Sequence, residues 1–117
     1  MSNPPKKKGT AWESAIVGYL HDEGVDAAER RAAAGGKDRG DIAGIRKVAI
    51  EAKSVKTIHL GTFVDEAEVE RVNDGADVAV VWIKRRGKVS PADGYVVLTG
   101  RGLLTLLRAG GYIEART

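Results

Sequence analysis

A chain of 117 residues with 19 Lys and Arg, 16 Asp and Glu, 43% apolar residues and no Cys has the makeup of one compact domain, too short for two separately cored ones. The lack of Cys excludes zinc-finger, iron–sulfur and thiol-nucleophile chemistry, and a core of this size needs neither disulfides nor a structural metal. No apolar run approaches the roughly 20 residues that cross a bilayer, and the opening Met-Ser-Asn-Pro-Pro-Lys-Lys-Lys has no hydrophobic signal stretch, so a cytoplasmic protein with no membrane partner is expected.

The net charge of +3 resides in Lys6, Lys7 and Lys8, and residues 10–117 balance at 16 bases and 16 acids. The balance is local nowhere. Residues 30–56 hold eight bases against three acids, residues 65–77 six acids against one Arg, and residues 84–108 six bases against one acid. Segregation of this kind lets a near-neutral globule turn a positive face toward a polyanion.

Residues 1–9, with two prolines and three lysines, read as a flexible basic arm, and the domain is expected over 10–117. Trp12, Ala15, Ile16, Tyr19 and Leu20 recur at three- and four-residue spacing before Gly24, which predicts an amphipathic helix over 11–23. Val25 to Arg31 suits a first strand, and Ala32 to Gly40 a mobile glycine-rich loop. Asp41–Ile45 and Val48–Ser54 are short β-like runs joined by Arg46-Lys47, hence an antiparallel hairpin. Residues 62–74 predict an acidic helix with Phe63, Val64, Ala67 and Val72 as its inner stripe. Asp77 to Ile83 is the near-continuous β-branched run of a strand covered on both faces. A basic turn over Lys84–Lys88, a strand over Gly94–Leu98 and a closing helix over 101–109 complete the chain. The expected fold is therefore α/β: an αβββαβ core with a mixed central sheet flanked by helices.

Chemistry concentrates on Val48-Ala49-Ile50-Glu51-Ala52-Lys53, where period-2 geometry puts Glu51 and Lys53 on one face and Ile50 and Ala52 on the other. Asp41, just after Gly40, can bring a second carboxylate beside Glu51. With the Ala52 carbonyl between them, Asp41 and Glu51 form a hard oxygen set suited to Mg²⁺, with Mn²⁺ as a substitute. Lys53 would stand beside a water on that ion. Phosphodiester hydrolysis needs this combination: a cation to offset charge on the phosphate, an acidified water, and a positive group to orient or deprotonate the nucleophile. Glu13 on the first helix would complete the set, at a second cation or at the water shell of the first.

Glu13, Gly40-Asp41 and Glu51-Ala52-Lys53, in this order and context, resemble the PD-(D/E)XK nuclease superfamily and, within it, the small archaeal-type Holliday junction resolvases. The likeness runs from Lys8-Gly9-Thr10 to the buried Val-Val-Trp-Ile strand. It implies a restriction-endonuclease-like fold, Asp41 and Glu51 as metal ligands, Lys53 as the catalytic lysine and Glu13 as the helix-borne acid. It also implies a homodimer that makes two matched cuts in branched DNA, a four-way junction. Lys6, Lys7, Lys8, Lys37, Arg39, Arg46 and Lys47 would contact phosphates and select by shape. Two departures stand out: Gly40 replaces the usual Pro of the motif, and Ala32, Ala33 and Ala34 occupy a loop where the resolvases often carry Ser.

Plainer roles compete for the same residues. Thr10 and Glu13 have the spacing of a capping box. Glu51 and Lys53 have that of a solvated ion pair. His21 on a polar helix face and His59 after a strand end suit plain surface roles better than a His–Asp pair, and Ser14, Ser54 and Ser90 have no nucleophile-elbow context. Trp12 and Trp82 sit at core phases, and Asp65, Glu66, Glu68 and Glu70 read as a solvated helix face. The turn Lys84-Arg85-Arg86-Gly87-Lys88 serves either solubility or phosphate contact. Beside junction resolution stand two other functions on the same scaffold: a nuclease for flaps, nicks or duplex DNA, and a catalytically silent DNA-binding module.

Overall fold

The computed structural model describes residues 4–32 and 38–116, with side chains from residue 9 onward. Along the chain run α1 (Pro4–Asp22), β1 (Glu29–Arg30), β2 (Ile42–Ala43), β3 (Val48–Lys53), α2 (Leu60–Asp74), β4 (Val78–Ile83), a 3₁₀ turn (Pro91–Asp93), β5 (Tyr95–Val97) and α3 (Gly100–Ala109). The five strands form one open mixed sheet in the order β1-β2-β3-β4-β5. Only the β3–β4 pair is parallel, because α2 carries the chain back across the sheet between them. The other pairs are antiparallel.

Both faces of the sheet are covered, and the pleat decides which side chain meets which helix. In β4, Val78, Val80 and Trp82 turn toward Trp12 and Ile16 of α1, while Ala79, Val81 and Ile83 pack with Phe63 and Ala67 of α2. In β3, Val48, Ile50 and Ala52 belong to the α1 side and Ala49 to the α2 side. The same alternation carries Glu51 and Lys53 onto the α2 side. Trp12 ties the α1 layer to the sheet by donating its indole N–H to the Trp82 carbonyl at 3.0 Å, and the Trp82 indole in turn donates to the Pro91 carbonyl at 3.0 Å. Both tryptophans thus serve packing.

Several boundaries differ from the sequence expectation. α1 begins at Pro4, not at residue 11, and runs through residues 4–9 that were expected to form an arm; the side chains of Lys6, Lys7 and Lys8 lie outside the described residues. Thr10 is consequently inside the helix, which removes the capping-box role for Glu13. β1 shrinks to Glu29–Arg30, since the chain before it is spent on turns, one closed by the His21 ring hydrogen-bonded to the Ala28 carbonyl at 2.7 Å. Val72 is 67% exposed and is no part of the inner stripe of α2; Glu70, expected in solvent, is buried in its place. The reason is helical phase. Phe63, Ala67 and Glu70 stand at i, i+4 and i+7, whereas Val72 is two positions off that line.

Two glycines are demanded by the backbone. Gly40 has φ +99°, and a Cβ there would stand 2.9 Å from the Ile50 carbonyl oxygen. Gly44 has φ +95°, and a Cβ would overlap the Ala27 carbonyl. α3 is attached lightly: of its residues only Gly102 is buried, and Leu103, Leu104 and Leu106 are exposed. Among the described residues no helix is long and apolar enough to cross a membrane.

Candidate functional site

The site forms where β2 begins and β3 ends, against the face of α2. Asp41 is fixed from three directions. Its N–H donates to the Ile50 carbonyl at 2.8 Å, its carbonyl accepts the Arg31 N–H at 2.8 Å, and its Oδ2 accepts the Ala52 N–H at 2.8 Å. The side chain thereby accepts from a β3 backbone N–H, and the carboxylate is close enough to Glu51 and Lys53 to act on the charge of both. The positive φ of Gly40 makes the entry to this position, a conformation closed to Pro with its φ near −65°. Gly40 is required here, and the Pro of the resembled motif is not interchangeable with it.

Glu51 is 8% exposed, so it is no solvated strand-face residue. Its Oε1 lies 3.7 Å from the Lys53 ammonium, while its Oε2 is buried without a hydrogen-bond partner. Burial pushes the Glu51 carboxyl well above the ordinary carboxylate range, and the neighbouring carboxyls of Glu70 and Asp41, which favour a proton on Glu51, push the same way. Lys53 bridges Glu51 and Glu66, with Nζ 3.0 Å from Glu66 Oε2, and lies over the Phe63 ring at 4.9 Å from its centre. Burial works against its charge, but Glu66, Glu51 and Asp41 outweigh that and hold Lys53 above its usual value.

Glu13 stands on α1, across the sheet from Glu51, and pairs with Arg30 at 3.9 Å. Its carboxyl is raised by burial and by the charge of Asp41, with Arg30 opposing. Asp41 is thus the group that electrostatically links Glu13, Glu51, Lys53 and Glu70. Asp41, Glu51 and Lys53 come together at one end of the sheet around the Ala52 N–H, while Glu13 stands on the other face, paired with Arg30 and linked to them through the charge of Asp41.

Sequence reasoning missed Glu70, Glu66 and Asp38. Glu70 is 3% exposed and faces Glu51 from α2, and its phase with Phe63 and Ala67 was the available signal. Asp38 is brought in by the loop: Asn73 of α2 donates to its carbonyl at 2.8 Å, and the neighbouring Arg39 pairs with Asp74 at 2.9 Å. One carboxylate oxygen from each of Asp38, Glu51 and Glu70 lies within 4.8 Å of the other two.

Two basic grooves lie on this side of the molecule, one at the β2–β3 turn and one beyond the end of β3. Arg31, Arg39, Arg46 and Lys47 line one shallow groove around Asp74 and Gly75. Arg39 and Arg31 are both paired with Asp74, and Lys47 donates to the Gly75 carbonyl at 3.2 Å, which leaves Arg46 as an exposed base with no ion pair among the described residues. A second groove, lined by Ser54, Val55, Lys56, Lys84, Arg85 and Arg86, opens directly beyond Lys53, whose carbonyl accepts the Lys84 N–H at 2.9 Å. The basic turn therefore lies beside the acidic centre. Lys37 lies outside the described residues. Comparison with protein families, with curated proteins and with solved structures finds no match to this chain.

Proposed function

We propose that this protein is a Mg²⁺-dependent, structure-selective DNA endonuclease with a restriction-endonuclease-like core, acting in the cytoplasm as a homodimer that resolves four-way junctions. The observation that carries the reading is the convergence of Asp41, Glu51 and Lys53 at one end of the β2–β3 pair, with Glu51 buried and one of its oxygens lacking any donor. Burying an ionisable carboxyl that lacks a donor on one oxygen is costly, and an inert DNA-binding module has no use for that cost.

The residues fit a hard divalent cation. Carboxylate oxygens of Asp41 and Glu51 on rigid backbone are the donors such an ion takes, and the partnerless Glu51 Oε2 provides a free lone-pair position. When bound, Mg²⁺ offsets negative charge on the scissile phosphate and acidifies water. Lys53, held against Glu51 and Glu66, orients the attacking water and takes or gives a proton at Nζ. Glu13 adds negative charge on the α1 side of Asp41. Lys56, Lys84, Arg85 and Arg86 in the groove beyond Lys53, and Arg46 in the groove at the β2–β3 turn, suit contact with phosphates without reading bases. The homodimer is supported by the exposed Leu103, Leu104 and Leu106 of α3 and by β5, an edge strand with exposed Tyr95 and Val96.

Cleavage of a labelled synthetic four-way junction and its matched duplex, with Mg²⁺ or EDTA, tests the reading on wild type and Glu51→Gln. Paired symmetric nicks on the junction alone, lost in EDTA and in the variant, are expected. Cutting of both substrates moves the protein to general nuclease work, and tight binding without cutting in Mg²⁺ refutes the enzyme.

A further inference from the structure

Glu70 is the most buried charged side chain among the described residues and has no part in the nuclease reading. It projects from α2 toward Glu51, and Asp38 is drawn to the same place by the Asn73 and Asp74 contacts of its loop. Three facts bear on its role. The three carboxylates each offer an oxygen within 4.8 Å of the others. Glu51 Oε2 and Glu70 Oε2 are both buried, on residues more than nine-tenths buried, and neither meets a hydrogen-bond donor. Among the described residues no Lys, Arg or His forms an ion pair with Glu70 or Asp38, and the ammonium of Lys53 engages the other oxygen of Glu51.

Asp38 Oδ1 accepts the Gly40 N–H at 3.0 Å and Lys53 is engaged by Glu51 Oε1 and Glu66, so Glu51 Oε2 and Glu70 Oε2 are left facing each other without a donor, and a positive charge in the space between them offsets that cost. The spacing suits one ion. Opposite ligands of a cation with metal–oxygen distances of about 2.0–2.1 Å lie roughly 4.1 Å apart, and those of one at about 2.3–2.6 Å lie roughly 4.6–5.2 Å apart. We propose that Asp38, Glu51 and Glu70 hold a divalent cation of the Mg²⁺, Mn²⁺ or Ca²⁺ class, with Glu51 shared between this site and the Asp41 side. Glu51 and Glu70 are the buried ligands, and exposed Asp38 stands at the opening through which the ion and its waters enter. The site deepens the nuclease reading at Glu51, yet it exists whether or not DNA is cut.

The test is direct binding by the full chain without DNA. Mn²⁺ is titrated by electron paramagnetic resonance, and thermal unfolding is followed with and without Mn²⁺, for wild type, Glu70→Gln, Asp38→Asn and Asp41→Asn. Wild type is expected to bind Mn²⁺ and to gain in Tm. Glu70→Gln and Asp38→Asn are expected to weaken binding by roughly tenfold or more, and the metal-free Tm of Glu70→Gln to equal or exceed that of wild type, since a buried charge is removed. Should Glu70→Gln fail to fold, Asp38→Asn, at an exposed position, carries the test alone. Wild-type affinity in both variants, or no Mn²⁺ binding by wild type, overturns the site and leaves Glu51 and Glu70 as a proton-sharing core pair. Loss of junction cleavage with these binding results intact overturns only the nuclease reading.

Discussion

The Asp41 carboxylate takes the place of a backbone acceptor for Ala52: its Oδ2 receives the Ala52 N–H at 2.8 Å, between Glu51 and Lys53 in the sequence of β3. One group therefore serves both the sheet and the site, and two variants separate the roles. Asp41→Asn keeps an oxygen for the N–H and is expected to stay within about 0.5 kcal/mol of wild type while losing cleavage. Asp41→Ala leaves the N–H without a partner and is expected to cost about 1–3 kcal/mol as well. Urea unfolding and a junction-cleavage assay on both variants check this.

Burial, reinforced by Glu70 and Asp41, lifts Glu51 above the ordinary value of 4.5, and burial with Asp38 and Asp41 lifts Glu70. A carboxyl whose folded value exceeds its unfolded one holds its proton more tightly in the fold. Its contribution is complete below about pH 4.5 and is lost as pH climbs through the raised folded value. Metal-free protein is thus expected to lose Tm from pH 5 to pH 8. Glu51→Gln should flatten that fall and add about 1 kcal/mol at pH 8. Calorimetric scans in EDTA measure it, and an identical slope in the variant refutes it.

Glu66 holds Lys53 in its charged form through a 3.0 Å contact. Glu66→Gln is expected to lower the Lys53 value and move the Lys53-dependent limb of the cleavage pH profile toward acid, with little change in stability because Glu66 is half exposed. A profile superimposable on wild type would remove Lys53 from the proton transfers.

Arg46 and Arg39 line the same groove but differ in commitment, since Arg39 is already paired with Asp74. Arg46→Ala is expected to weaken junction binding without sequence preference and to reduce the slope of log affinity against log salt by about 0.9. Arg39→Ala should change that slope less and lower Tm more, through loss of the loop's anchor to α2. Fluorescence anisotropy across a salt series separates the two.

Gly44→Ala forces a Cβ onto the Ala27 carbonyl at a positive φ and is expected to cost more than about 3 kcal/mol, as is Gly40→Pro, whose ring φ cannot reach +99°. Gly9→Ala, with open space around its Cβ, should be neutral or better. Thermal unfolding of the three variants orders them.

The amino-acid sequence by itself determined the order of elements, the two-sided burial of β4 and the placing of Glu51 and Lys53 on one face of β3, because periodicity is a local property of the backbone. It also pointed to Asp41 as their neighbour, since a hairpin this short leaves few registers. Only the tertiary structure decided that Glu51 is buried, that Lys53 is shared with Glu66, and that Glu70 and Asp38 face Glu51. Those relations depend on how α2 lies across the sheet and on the Asn73 and Asp74 contacts that dock the 38–40 segment on it. A run of acids on a helix looks solvated until packing selects its inner face. Here Phe63 and Ala67 made that selection, and Glu70 went inward with them.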